Sequence, residues 1–241
     1  MAIKLVRENI NEFFKKNDDK ISSLGLGRKY MIKKWLEEFN ITMYTINRDF
    51  TIDVFENVAL AYRNLIQLPD YIQFGKIIGV SDYEAMSFDI CNNKLITLKG
   101  CPREVYGKFD CDHNELTSLE FGPTVVRGSY FCGNNKLTTL KGCPSYIGKN
   151  FNVDNNKLTS LEFGPTRVGV SYFCHHNNLT SLKWTPRIIP GDFWCKYNPL
   201  TTLDDAPTTI EGELSLEGTD ISFLTEKEIR KHIKVFGKIY K

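Results

Sequence analysis

From residue 88 onward, apolar and polar positions alternate in short bursts that return every 21 residues. A typical burst is Val105-Tyr-Gly107-Lys-Phe109-Asp-Cys111, and its period of two predicts a short strand with one buried face. One inward column reads Phe88, Phe109, Tyr130, Phe151, Tyr172, Phe193; the next reads Ile90, Cys111, Cys132, Val153, Cys174, Cys195. Asparagine follows at Asn93, Asn114, Asn135, Asn156, Asn177 and Asn198. Leucines come two and five residues later, as in Leu116 and Leu119, and proline keeps the register from Pro102 to Pro207.

Each column implies a physical role. Aromatic and small apolar side chains fill the inner face of the strand. The asparagine amide bonds backbone groups where the chain turns, so stacked copies predict a ladder of such bonds. Proline shapes an extended return segment without needing an N–H partner. One unit cannot bury its own apolar face, so neighbours must stack. The expected result is a solenoid with one short strand per turn in a parallel sheet. A second period of 42 residues overlies the first: Lys99-Gly-Cys101-Pro102 returns at Lys141, and Glu120-Phe-Gly122-Pro123 returns at Glu162. The glycine before the strand slips by one residue at Gly148 and Gly169, which predicts a local difference there.

The pattern P-x-x-V-x-G-x-F-x-C-x-x-N-x-L-T-S-L resembles the leucine-rich repeat family, and within it the short, proline-containing bacterial subtype. The resemblance covers about residues 54–224 and departs from the family in placing Cys or Val where the strand leucine stands. It implies an α/β-type superhelix of short parallel strands and loops with few helices, its sheet lining the concave side.

A repeat stack needs closed ends. Residues 1–50 carry no repeat and read as an N-terminal cap. Ile3, Val6, Ile10 and Phe13 fit one helix face, and Ile32, Trp35, Leu36 and Phe39 fit another. Tyr44–Ile46 and Phe50–Ile52 read as a hairpin around Asn47-Arg-Asp49. Residues 51–224 are the repeats, with a degenerate first copy through Val54, Val58, Leu60, Leu65, Leu68 and Pro69. Leu60 and Ile90 lie 30 residues apart, which places an insertion near residues 80–87. Residues 225–241 read as a capping helix, opened by the capping box Thr225-Glu-Lys-Glu228, with Ile229, Ile233 and Phe236 on its apolar face and Gly237 at its end. The stretch Gly25-Leu-Gly27, the Trp-containing helix and Tyr44-Thr-Ile-Asn47 also resemble the leader of leucine-rich repeat proteins of large tailed bacteriophages. That likeness implies a protein made inside an infected bacterium.

Composition changes this picture little. Thirty-one basic residues face 29 acidic ones, a formal charge of +2 that points to no polyanion. The chain lacks an apolar run long enough to span a bilayer and a signal-like core at its start, so a cytoplasmic setting without membrane contact is expected. Seven cysteines is an odd number, and four of them fill one buried column, so packing rather than disulfide chemistry is expected. His113 and His176 stand three turns apart, roughly 14 Å, too far to share a metal. Neither a P-loop, a nucleophile elbow nor a dinucleotide fingerprint occurs, so no catalytic residue, cofactor or metal is expected.

Function is therefore expected on the sheet. The central outward row reads Asp89, Asp110, Phe131, Asn152, Phe173, Trp194, Ser215, and the next reads Asp112, Gly133, Asp154, His175, Lys196, with His176 and Tyr197 beyond. Exposed aromatic residues rimmed by polar ones mark contact sites. The candidate binding set for a protein partner, a bacterial one if the phage likeness holds, is Asp110, Phe131, Asn152, Phe173, His175, Trp194, Lys196 and Tyr197. A shift of strand phase by one residue would instead bury one ring of each pair Tyr130-Phe131, Tyr172-Phe173 and Phe193-Trp194 the other way round. Two rival readings stay open. Basic clusters such as Arg28, Lys29, Lys33 and Arg230, Lys231, Lys234, Lys241 could touch nucleic acid, and Asp110, Asp112, Asp154 and His175 could form an enzyme site.

Overall fold

A computed structural model of the chain describes residues 25–79 and 85–241. The helix face expected from Ile3 to Phe13 and residues 80–84 of the insertion lie outside the described residues. The described chain is a solenoid of stacked turns with short parallel strands. Its front sheet has nine parallel strands among the described residues, from Val58–Ala59 and Phe88–Asp89 through Tyr130–Phe131 and Phe193–Trp194 to Ile239–Tyr240. Phe88 pairs with Val58, which confirms the 30-residue step, and later pairs keep the 21-residue register, as Phe151 with Tyr172. Among the described residues no helix is long and apolar enough to cross a membrane.

Each turn contributes two strands, where the alternation had suggested one. A back row runs beside the front row, with strands such as Glu104–Val105, Val125–Val126, Tyr146–Ile147 and Arg167–Val168. The chain bends between the rows at Tyr106-Gly107 and its equivalents. There neighbouring turns approach so closely that a Cβ on Gly107 would lie 2.6 Å from Met86 O, and one on Gly128 would strike Gly107 O. Glycine holds this corner because no side chain fits. At the slipped turns Gly148 still meets Arg127 O, while Lys149 takes over the bond to Gly128 O.

The interior consists of the expected columns. Phe88, Phe109, Tyr130, Phe151, Tyr172 and Phe193 are all fully buried, as are Ile90, Cys111, Cys132, Val153, Cys174 and Cys195. The rings form a file with centroids 5.0 to 6.0 Å apart, continued by Phe74 and ended by Trp35. All seven cysteines are free, and the Cys111 and Cys132 thiols donate to carbonyls of the next turn. The 42-residue period is a volume exchange within each turn. Cys101 accompanies Phe109 and Cys143 accompanies Phe151, whereas Gly122 accompanies Tyr130 and Gly164 accompanies Tyr172. A Cβ on Gly122 would sit 3.2 Å from the Tyr130 hydroxyl, so the ring's extra oxygen fills space that the cysteine takes elsewhere.

The asparagine column joins the turns. Asn114 Oδ1 accepts from Leu95 N at 2.9 Å, while its Nδ2 donates to Ile90 O of the preceding turn and Cys111 O of its own. Asn135, Asn156, Asn177 and Asn198 repeat these bonds, and all five are buried.

The ends differ in part from expectation. Helix α1 (Leu26–Glu38) buries Ile32, Trp35 and Leu36. Strands β1 (Tyr44–Ile46) and β2 (Ile52–Val54) form the antiparallel hairpin, and β2 starts at Ile52 because Phe50 has φ 65° and belongs to the turn. Helix α2 (Glu226–His232) opens on the expected capping box, with Thr225 Oγ1 accepting from Glu228 N and Glu228 Oε2 accepting from Thr225 N. It stops at His232 rather than Gly237. The extended backbone of Ile233 leads into Lys234–Val235 and Ile239–Tyr240, which add another turn to both rows. Phe236, expected on the helix face, is 62% exposed.

Asn156→Ala leaves the buried Leu137 N–H without its acceptor and takes one of two donors from Cys132 O and from Val153 O, so unfolding in urea should show a loss of about 1–3 kcal/mol. Gly122→Ala should cost about 1–3 kcal/mol by overpacking, and less in a Tyr130→Phe background, where denaturation midpoints would reveal the coupling.

Candidate functional site

The outward row of the front sheet lies between two buried columns, which settles the strand phase. Phe131, Asn152, Phe173 and Trp194 are half-buried by their own neighbours. Phe173 and Trp194, on paired strands, meet edge-to-face with centroids 5.0 Å apart. His175 packs 6.2 Å from the Trp194 ring and 5.4 Å from His176, whose ring stacks on Tyr197 at 4.5 Å. Lys196 lies over both Trp194 and Tyr197, at 5.4 and 5.6 Å, and pairs with Glu217 at 3.5 Å. Six of the eight candidate residues thus fall in one patch, from Asn152 to Tyr197. Phe131 stands one turn before Asn152, with the Lys108 ammonium 5.8 Å from its ring.

Asp110 belongs to the structure rather than the surface. Only 7% exposed, it binds Lys108 Nζ at 2.7 Å and accepts from Asp112 N. Asp89, Cys91 and Asp110 come within metal-ligand distance of one another, but the Lys108 ammonium already neutralises that corner. Burial tends to lower Lys108, yet the hydrogen bond and charge of Asp110 outweigh it and the ammonium is held above its ordinary range. Burial, aided by Asp89, lifts the Cys91 thiol to about 11, so it is not a thiolate near neutrality.

The next row is electrostatically uneven. Burial lifts the Asp112 carboxyl to about 7, and the charge of Asp110 adds to the shift against a bond from Gly133 N at 2.6 Å. Asp154 is 7% exposed; its Oδ2 accepts from Asn155 Nδ2, whereas its Oδ1 has no hydrogen-bond partner. His175 Nδ1 lies 4.0 Å from Asp154 Oδ2, but burial outweighs that attraction and lowers the imidazole, which leaves it neutral at pH 7. His175 Nδ1 and Trp194 Nε1 are likewise buried without a partner.

The residue before each ladder asparagine is left-handed, with φ 50–54° at Asn92, His113, Asn134, Asn155, His176 and Tyr197. Asparagine and histidine suit that conformation, whereas the bulky tyrosine holds it under strain. Tyr197 stands within the aromatic patch, while Phe121, Phe163 and Trp184 hold the same conformation outside it.

No family profile and no curated protein sequence matches this chain. Among solved structures it is similar to a Shigella effector LRR domain. The similarity has a TM-score of 0.49 with 14% identity, over 76% of this chain and 81% of that one.

The basic end clusters are largely engaged at home. Arg230 bonds Val235 O and Gly237 O, Lys241 bonds Leu224 O, and Arg28 lies over the Phe50 ring. Of the four candidate enzyme residues, Asp110 is taken by Lys108, Asp112 and Asp154 flank Gly133, and His175 stands by Asp154 and Trp194.

Asp112 binds its proton more tightly folded than unfolded, near 7 against 3.8. Its contribution to stability is therefore complete below about pH 3.8 and is lost as pH rises through 7. Asp112→Asn keeps an acceptor for Gly133 N–H and removes the buried charge. Denaturation at a series of pH values should show it more stable above neutrality by on the order of 2 kcal/mol, with a flatter profile from pH 4 to 7.

Proposed function

We propose that this chain is a non-enzymatic protein-binding module, whose partner docks on the front sheet around Phe173, Trp194, His175, His176, Lys196 and Tyr197. The observation that carries this reading is the ring patch itself. Its rings hold one another in place, Tyr197 sits on strained backbone, and the Trp194 indole N–H is left without an acceptor. Such a surface loses little ordering entropy on binding, because every turn is fixed by its neighbours. Tyr and Trp are also the residue types that carry most interface energy. The likeness of the leader to large-phage proteins makes a bacterial host protein the partner to seek first.

Two variants separate binding from folding. His176→Asn with Tyr197→Asn keeps residues that suit the left-handed backbone, so thermal stability should hold, while affinity for a captured bacterial partner falls about tenfold or more. Phe173→Ala with Trp194→Ala should abolish capture from bacterial lysate. A partner retained equally by wild type and both variants would place binding elsewhere.

A further inference from the structure

Within this protein-binding reading, we propose that the place over Gly133, where Asp112 and Asp154 converge, receives the guanidinium of an arginine side chain on the partner. Gly133 stands between the two acids in their row, one turn from each. Its N–H is held by Asp112 Oδ1 at 2.6 Å. From the other side Asp154 Oδ1 lies where a Cβ on Gly133 would stand, with Asp154 Cγ 3.1 Å from that point. The missing side chain thus lets two carboxylates approach a single backbone amide.

Those carboxylates are short of positive charge. The Lys108 ammonium bonds Asp110, that of Lys196 pairs with Glu217, and among the described residues no lysine or arginine forms an ion pair with Asp112 or Asp154. Asp154 is nine-tenths buried and its Oδ1 bonds nothing, although a buried acceptor without a donor ordinarily costs about 1–3 kcal/mol. The polar atoms of the next two turns, His175 Nδ1 and Trp194 Nε1, are unpartnered as well. Three adjacent turns therefore hold a carboxylate oxygen, an imidazole nitrogen and an indole N–H, all buried and unmatched.

The ligand that matches this order has a cationic donor at one end and a carbonyl at the other. An arginine residue in a peptide supplies both. Its guanidinium bonds carboxylates through a planar fork, sheds water more readily than an ammonium and lies flat on aromatic rings. The row of Phe131, Asn152 and Phe173 borders the site. From Asp154 to Trp194 is two turns, about 10 Å. An extended arginine spans most of that distance, which brings its backbone carbonyl toward Trp194 Nε1. A metal ion fits less well, since among the described residues Asp112 and Asp154 have no third ligand in reach.

The test is a titration of the full ¹⁵N-labelled chain at about pH 8, where Asp112 is ionised. Three probes are used separately: N-acetyl-arginine methylamide, N-acetyl-lysine methylamide and calcium chloride. The arginine probe should move the Gly133 amide and the Trp194 indole N–H saturably, at least threefold more tightly than the lysine probe. Asp154→Asn should weaken it tenfold or more. If that variant is misfolded, Asp112→Asn takes its place with the same expectation. Equal response to both organic probes, no saturable response, or a response to calcium alone would each overturn the proposal. If the proposal fails while the Phe173→Ala, Trp194→Ala chain still loses its partner, only the guanidinium is removed and the binding face stands. If the arginine probe binds and that double variant keeps its partner, the face fails and the guanidinium site stands alone.

Discussion

The asparagine ladder is the constraint on which the other features of the solenoid depend. A strand of two residues offers too few backbone bonds to fix its own register. Each asparagine supplies the remainder by accepting from the leucine N–H of the preceding turn and donating to carbonyls of both turns. One side chain thus closes its own turn and sets its distance from the next. The inner columns then stack in phase, and aromatic rings fall at the spacing at which they pack edge to face or stacked. The glycine corner follows too, because turns held this close leave no room for a Cβ on the inside of the bend.

The same coupling makes outward positions act together. Neighbouring strands place Phe173 beside Trp194, and one row over the register sets Asp154, Gly133 and Asp112 in line. Residues 21 apart in sequence become nearest neighbours, so a single ring or charge is always read with its copies. The front face is acidic toward the turn of Asp110 and aromatic toward the turn of Trp194, with Lys108 and Lys196 each lying over a ring. This gradient arises from substitution at fixed positions and requires no change in the backbone.

Much of this was legible in the sequence because it repeats. The buried columns, the ladder and the 30-residue first step follow from spacing alone. The second row of strands was not legible, since alternation runs unbroken through Tyr106-Gly107 and only the approach of the next turn shows why the chain must bend there. The C-terminal turn is not legible in the spacing because Ile229, Ile233 and Phe236 imitate a helix face, while the pairing of Val235 and Ile239 with earlier turns outweighs it. At the candidate site the rings could be placed, but the burial of Asp110 and the unmatched atoms of Asp154, His175 and Trp194 depend on side-chain directions that spacing does not fix. Tyr197 is legible as the bulky exception in a left-handed column of asparagine and histidine.

The spacing of the turns also limits how a partner can lie on them. Rows recur about every 4.8 Å along the stack, whereas successive helical turns recur at about 5.4 Å and same-side residues of a strand at about 6.7 Å. Neither period is commensurate with the rows. A helix laid lengthwise would drift out of step within about four turns and a strand within one or two, so matching contacts must be concentrated over a short stretch. The patch from Asn152 to Tyr197 spans three turns, about the length over which such a mismatch remains tolerable.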